Sequence, residues 1–176
     1  MSTLGTMTIV EALLQEFGHE AESTRRALER VPMDKRDWRP HPKSKTFGEL
    51  AGHLAELPFW ASCVLNEEEL VFDPETYKIP KFEDSQSLLE SFDKAVSVAK
   101  DAMVGKSDEH MMQPWRFIIN GQVAFEMPRI AVLRDMVLNH TIHHRAQLGL
   151  YLRLNDIPVP QTYGPTADEP GDMGGC

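Results

Sequence analysis

Residues 128–154 read PRIAVLRDMVLNHTIHHRAQLGLYLRL, and this stretch predicts the last and most informative helix of the fold. Pro128 suits the first turn of a helix, where its missing N–H loses no hydrogen bond. Asn155-Asp156 and two later prolines end the pattern. Core-type side chains recur at steps of three and four residues, as on the buried face of a helix. That face consists of Ile130, Leu133, Val137, His140, His144, Gln147 and Tyr151.

Three further segments with helical periodicity lie near residues 8–30, 46–65 and 85–104. The second opens on a Thr-x-x-Glu capping box, in which each side chain accepts a hydrogen bond from the other residue's backbone. Pro58 lies inside the same segment and predicts a kink or an end of the helix, because proline removes a backbone donor. Asn120-Gly121, in a later connection, predicts a tight turn or a small hairpin.

Long irregular connections separate these helices, so neighbours in sequence need not be antiparallel neighbours in space. The sequence therefore predicts an all-α fold, a four-helix bundle with long crossover connections. We expect a single domain over residues 1–163 and a flexible, Gly/Pro/Asp-rich C-terminal tail over residues 164–176.

Composition narrows the classes of partner. The formal net charge of −9 comes from 27 acidic and 18 basic residues without a basic stripe, which argues against nucleic acid and anionic lipid. No stretch approaches the roughly 20 apolar residues of a membrane-spanning helix. Cys63 and Cys176 are too few for a disulfide framework, which favours the reducing cytoplasm. A small-molecule or protein partner is the expectation.

Two histidines take core positions on the last helix. His140 and His144 are four residues apart, so their Cβ atoms lie ~6 Å apart on one face and both rings can reach one ion. Thr141 stands where the H-E-x-x-H motif has its catalytic glutamate, so that motif is absent. The alternative interpretation is a pair of hydrogen-bonded core histidines.

A third histidine favours the metal interpretation. His53 lies between Leu50 and Leu57 on the apolar face of the second helix, where it can meet the pair on the last helix. The other histidines do not suit the role, either because they lie in polar segments or connectors or because they point away from the pair; these are His19, His41, His110 and His143. The predicted metal ligands are His53, His140 and His144.

Two segments resemble the DinB/YfiT-like family. FGELAGHLAEL, residues 47–57, is similar to the family's helix with the first metal histidine, and VLNHTIHHRAQLGLYLRLNDIPVPQTYGPTADE, residues 137–169, to its last helix and tail. The resemblance implies a four-helix bundle, usually dimeric, with nickel or zinc held by His53, His140 and His144. Ala146 stands where many relatives have glycine, which keeps a small side chain at a helix contact.

Three histidines leave a coordination position open, which is typical of a catalytic metal site. The leading hypothesis is a metal-dependent transferase or hydrolase that activates a thiol or a water, since some members of the family resemble S-transferases that use low-molecular-weight thiols. One alternative is a stress-associated metal- or ligand-binding protein without turnover. Another is a helical interaction module whose histidines are structural.

Two polar residues and two tryptophans leave further questions open. Gln147 can orient a water or a ligand's free nitrogen, or it can be a core amide. Glu56 can accept the second N–H of His53, or it can lie on a solvated helix face. Trp38 and Trp115 exceed what one helical core obviously needs, which, with the resemblance, favours a homodimer.

Overall fold

The computed structural model describes residues 7–171, and most of them are helical. The elements in chain order are α1 (Ile9–Leu28), a 3-10 turn (Met33–Lys35), α2 (Phe47–Asn66), β1 (Glu69–Phe72), α3 (Ser85–Met103), α4 (Asp108–Met112), β2 (Pro114–Ile119), β3 (Gln122–Pro128), α5 (Arg129–Val132), a π-helical segment (Leu133–Asn139) and α6 (His140–Leu154). The mostly helical prediction is confirmed. The predicted last helix is present, but it consists of α5, the π-helical segment and α6 in succession.

A small sheet corrects the all-α prediction. β1, β2 and β3 form one sheet in that order, with β1 parallel to β2 and β2 antiparallel to β3. The predicted turn at Asn120-Gly121 is confirmed, with φ values of 50° and 75° that suit a tight hairpin. The inward face of the sheet carries aromatic side chains that pack against one another and against the helical core. These side chains are Phe72, Trp115, Phe117 and Phe125. Strands this short contain too few alternating apolar and polar residues for the sequence pattern to identify them.

Helix α2 begins and continues for identifiable reasons. The capping box is present, since Glu49 N donates to Thr46 Oγ1 at 3.1 Å and Thr46 N donates to Glu49 Oε2 at 2.7 Å. The helix does not end at Pro58 but runs on to Asn66. Leu54, Leu57 and Ala61 are fully buried, so packing on several sides offsets the hydrogen bond that proline removes.

Helix α2 and the last helix run antiparallel, which brings His53 opposite α6. At one end the rings of Phe47 and Tyr151 lie 5.6 Å apart. At the other end the buried Arg129 guanidinium donates to the carbonyl oxygens of Val64 and Glu67, the latter at 2.5 Å. These bonds satisfy carbonyls that a helix end leaves without partners, and the positive charge suits the negative end of the helix dipole.

The chain after α6 folds back onto α1. Glu169 forms ion pairs with Arg26 and Arg30, and Asp168 pairs with Arg153. These contacts involve the first part of the predicted tail, while residues 172–176 of that tail lie outside the described residues. Within residues 7–171 no helix combines the length and the apolar character that crossing a membrane requires.

Candidate metal centre

The histidine-bearing turns of the last helix follow directly on its π-helical segment. Leu133–Asn139 adopts the wider turn, and α6 starts at His140. A π-helical turn is rare and occurs often at functional sites, because it rotates the side chains that follow relative to those before. The side-chain pattern does not signal this change of backbone hydrogen bonding, so the sequence predicts an uninterrupted helix there.

The three predicted ligands come together. His53 Nε2 lies 3.3 Å from His140 Nε2, and His140 Nε2 lies 2.9 Å from His144 Nε2. One nitrogen from each ring falls within a group whose members are all within 4.8 Å of one another. His53 and His144 are 7% and 9% exposed, whereas His140 is half-buried, so the cluster approaches solvent on the His140 side.

The opposite ring nitrogens of two histidines are tied to acceptors. His53 Nδ1 donates to Glu56 Oε1 at 2.7 Å, and His144 Nδ1 donates to Gln147 Oε1 at 2.8 Å. A carboxylate and an amide oxygen can only accept, so each Nδ1 carries a proton, and in the neutral ring each Nε2 keeps a free lone pair. Of the alternatives that the sequence left open, these contacts favour Glu56 and Gln147 as supports of the histidines.

Burial favours the neutral form of His140 and His144. Burial lowers the pKa of His144 to about 4, against a smaller opposing effect of the Gln147 hydrogen bond. Burial also lowers the pKa of His140, and the nearby His53 lowers it further. A neutral imidazole is the form that binds a metal, so near neutral pH no proton has to leave these two rings.

Tyr77 is a site residue that the sequence analysis missed. It lies between β1 and α3, and its hydroxyl donates to Glu56 Oε1. The Tyr77 hydroxyl oxygen also lies 3.3 Å from His53 Nδ1. Burial raises the pKa of Tyr77 and the Glu56 carboxylate raises it further, so the hydroxyl stays a donor. Tyr77 stands in an irregular connection, where no periodic pattern relates it to the helices.

None of the remaining histidines joins the group of ligand nitrogens, as the sequence predicts, although the ring centroid of His143 lies 4.9 Å from that of His144. His19, His41 and His143 are exposed, and His110 Nε2 donates to the Leu65 carbonyl oxygen at 3.0 Å. His143 Nε2 accepts from Gln147 Nε2 at 3.1 Å, which fixes the orientation of that amide. Among the described residues, no other three His, Cys, Asp or Glu side chains form such a group.

The donor set fits a divalent transition metal. Tetrahedral bonds of ~2.0–2.1 Å to nitrogen place two ligand nitrogens roughly 3.3 Å apart, close to the separations between His140 and its two neighbours. Lone pairs at such a distance repel one another unless a cation or a proton lies between them. Imidazole suits zinc and nickel alike, so the residues do not select between them.

Known proteins are similar in sequence to this chain over most of its length. The family model described as "DinB family" matches residues 1–172. The uncharacterized protein YrdA of Bacillus subtilis (strain 168) is 22% identical over 160 residues, 91% of either chain.

Two solved structures show the same fold. A DinB-like protein from Bacillus cereus ATCC 10987 has a TM-score of 0.68 at 22% identity, covering 89% of this chain and 99% of its own. The DinB-like protein YjoA from Bacillus subtilis has a TM-score of 0.63 at 16% identity, covering 86% and 97%.

Proposed function

The chain belongs to the DinB family, and from the geometry of its histidines we propose that it binds one nickel or zinc ion through His53, His140 and His144 to activate a thiol or a water. The observation that carries the proposal is the convergence of three Nε2 atoms while Glu56 and Gln147 hold the Nδ1 protons of two of the rings. Ligand histidines nearly always have such a partner on the second nitrogen.

The reaction class follows from the number of ligands. Three protein nitrogens leave a coordination position for a substrate, and a bound ion would supply Lewis acidity that lowers the pKa of a thiol or water placed there. The chain's own residues fix ring orientation through Glu56 and Gln147 and leave access beside the half-buried His140. A transferase or hydrolase type of reaction on a small molecule, such as a low-molecular-weight thiol, suits this arrangement.

Metal content tests the site. We expect about one equivalent of nickel or zinc per chain in the wild-type protein, loss of that metal in His144→Ala, and helical content nearly unchanged. His19→Ala removes an exposed histidine outside the cluster and is the matched control. Full metal content in His144→Ala would refute the ligand assignment.

Thiol activation needs a separate measurement. The visible absorption of the cobalt-loaded protein should change on addition of a small thiol, and His144→Ala should show no such change. If thiols leave the absorption spectrum of the cobalt-loaded protein unchanged and the protein shows no hydrolytic turnover, the alternative of a metal- or ligand-binding protein without catalysis is supported. A protein that takes up no metal supports the interaction module.

A homodimer is proposed on the resemblance alone. Trp115 is fully buried in the chain's own core, and Trp38 packs against Phe47 and Tyr151. The tryptophans therefore no longer argue for a partner surface. Light scattering should give about twice the 20.0 kDa of one chain, and a mass of one chain at micromolar concentration would contradict the dimer.

A further inference from the structure

Tyr77 joins the connection between β1 and α3 to the metal centre. We propose that Tyr77 is a positioning residue that holds Glu56 in place and through it fixes the ring of His53; the proposal rests on the metal site proposed above. The residue touches the carboxylate and lies beside the ring, and it has no part in the ligand set.

One carboxylate oxygen carries both contacts. Glu56 Oε1 accepts from His53 Nδ1 at 2.7 Å and also from the Tyr77 hydroxyl. A glutamate side chain has three rotatable torsions, and Glu56 reaches back only one turn along α2 to His53. The second donor, on a different segment of the chain, restricts the carboxylate to one position and so restricts the ring it holds.

The connection that carries Tyr77 is itself seated on α2 beside His53. A Cβ on Gly52 would lie 2.1 Å from the Pro80 carbonyl oxygen and 3.1 Å from Ile79 Cγ2, so only glycine allows this approach. On its other side Tyr77 packs against Phe72, with ring centroids 5.0 Å apart. Tyr77 is therefore fixed by contacts that do not involve its hydroxyl.

These contacts make the seating of the connection and metal binding mutually dependent. If the seated connection favours the ligand geometry of His53, bound metal favours the seated connection by the same factor. The backbone near Tyr77 should then exchange its amide hydrogens more slowly in the metal-loaded protein. Tyr77→Phe should reduce this protection while keeping the ring contact with Phe72.

Chelator competition for zinc tests the positioning role. Tyr77→Phe should weaken zinc binding roughly 10-fold, the lower end for residues that support a ligand. Glu56→Leu removes the oxygen through which Tyr77 acts on His53, so it should also weaken zinc binding, and adding Tyr77→Phe to Glu56→Leu should weaken it no further. Tyr151→Phe is the matched control. It removes a tyrosine hydroxyl on α6 that donates to the Lys45 carbonyl oxygen rather than to Glu56 or His53. Unchanged affinity in Tyr77→Phe, or additive effects in the double variant, would overturn the proposal.

Nitrogen NMR of the metal-free protein separates this proposal from the proposed function. The wild-type His53 ring should show a single tautomer with the proton on Nδ1, and Tyr77→Phe should show a mixture. If the wild-type protein takes up no zinc, the metal assignment is wrong. If the His53 ring of Tyr77→Phe still shows a single tautomer, the positioning role of Tyr77 is wrong, whether or not the protein binds zinc.

Discussion

Arg145 Nη2 lies 2.7 Å from Glu20 Oε2, and the two side chains are 3% and 7% exposed. The pair joins α1 to α6, where Arg145 directly follows His144. Arg145 also donates to the Glu20 carbonyl oxygen at 3.1 Å and to Thr24 Oγ1 at 3.2 Å, and Tyr163 donates to Glu20 Oε1 at 2.8 Å. The position of α6, which carries His140 and His144, therefore depends on a buried ion pair.

Removing one member of this pair should destabilise the fold strongly. Arg145→Met removes the cation paired with the buried Glu20 carboxylate, and breaking a buried pair by removing one partner costs about 3–5 kcal/mol. Urea unfolding measures the loss. The control is Arg134→Met, which breaks the exposed pair with Glu16 and should cost under about 1 kcal/mol. Equal losses in both variants would contradict the importance assigned to the buried pair.

Gly52→Ala should displace the connection that carries Tyr77. The added Cβ meets the Pro80 carbonyl oxygen at 2.1 Å, and backbone cannot move aside cheaply. We expect a loss of about 1–3 kcal/mol in the free energy of unfolding and weaker zinc binding. Gly149→Ala is the matched control on α6, because its Cβ would lie 3.6 Å from Val159 Cγ1 in ordinary contact. That variant should be neutral or slightly stabilising, since alanine favours a helix. Unchanged zinc affinity in Gly52→Ala would show that the position of this connection does not affect zinc binding.

The long helices were predictable because their periodicity covers many turns and their ends carry chemical signals. Thr46 and Glu49 mark the start of α2, and the structure has the capping box that they predict. The sheet was not predictable as a unit. β1 is four residues long, and its pairing of Glu69 with Arg116 joins segments on either side of α3. Nothing local in a sequence specifies such a pairing.

The histidines were predictable for a different reason. Their polar rings interrupt apolar helix faces, and buried nitrogen atoms need partners. Glu56 and Gln147 lie within one turn of their histidines, so helical spacing suggests both contacts. Tyr77 contacts Glu56, and Gly52 contacts the Pro80 carbonyl oxygen, between segments that are distant in sequence. The roles of these two residues are therefore visible only in the fold.

Replacing Gln147 should separate its two interpretations. Gln147→Leu removes the acceptor of the His144 Nδ1 proton, so zinc affinity should fall about 10- to 100-fold with little change in helical content. Gln147→Glu keeps an oxygen acceptor and should retain most of the affinity. Chelator competition measures both variants. If Gln147→Leu binds zinc as tightly as the wild type, Gln147 is a core amide without influence on the ligand.

The metal-free protein should lose stability as the pH falls. His144 has a pKa of about 4 in the folded chain against an ordinary value of 6.5, chiefly because it is buried. Between these two values the unfolded chain binds more protons than the folded chain, so the free energy of unfolding decreases as pH decreases. His140 acts in the same direction, since its pKa is also lowered. Urea unfolding of the metal-free protein across this pH range should show the decline, and His144→Gln should show a shallower one. A wild-type curve no steeper than that of His144→Gln would mean that His144 titrates normally and is not held neutral for a metal.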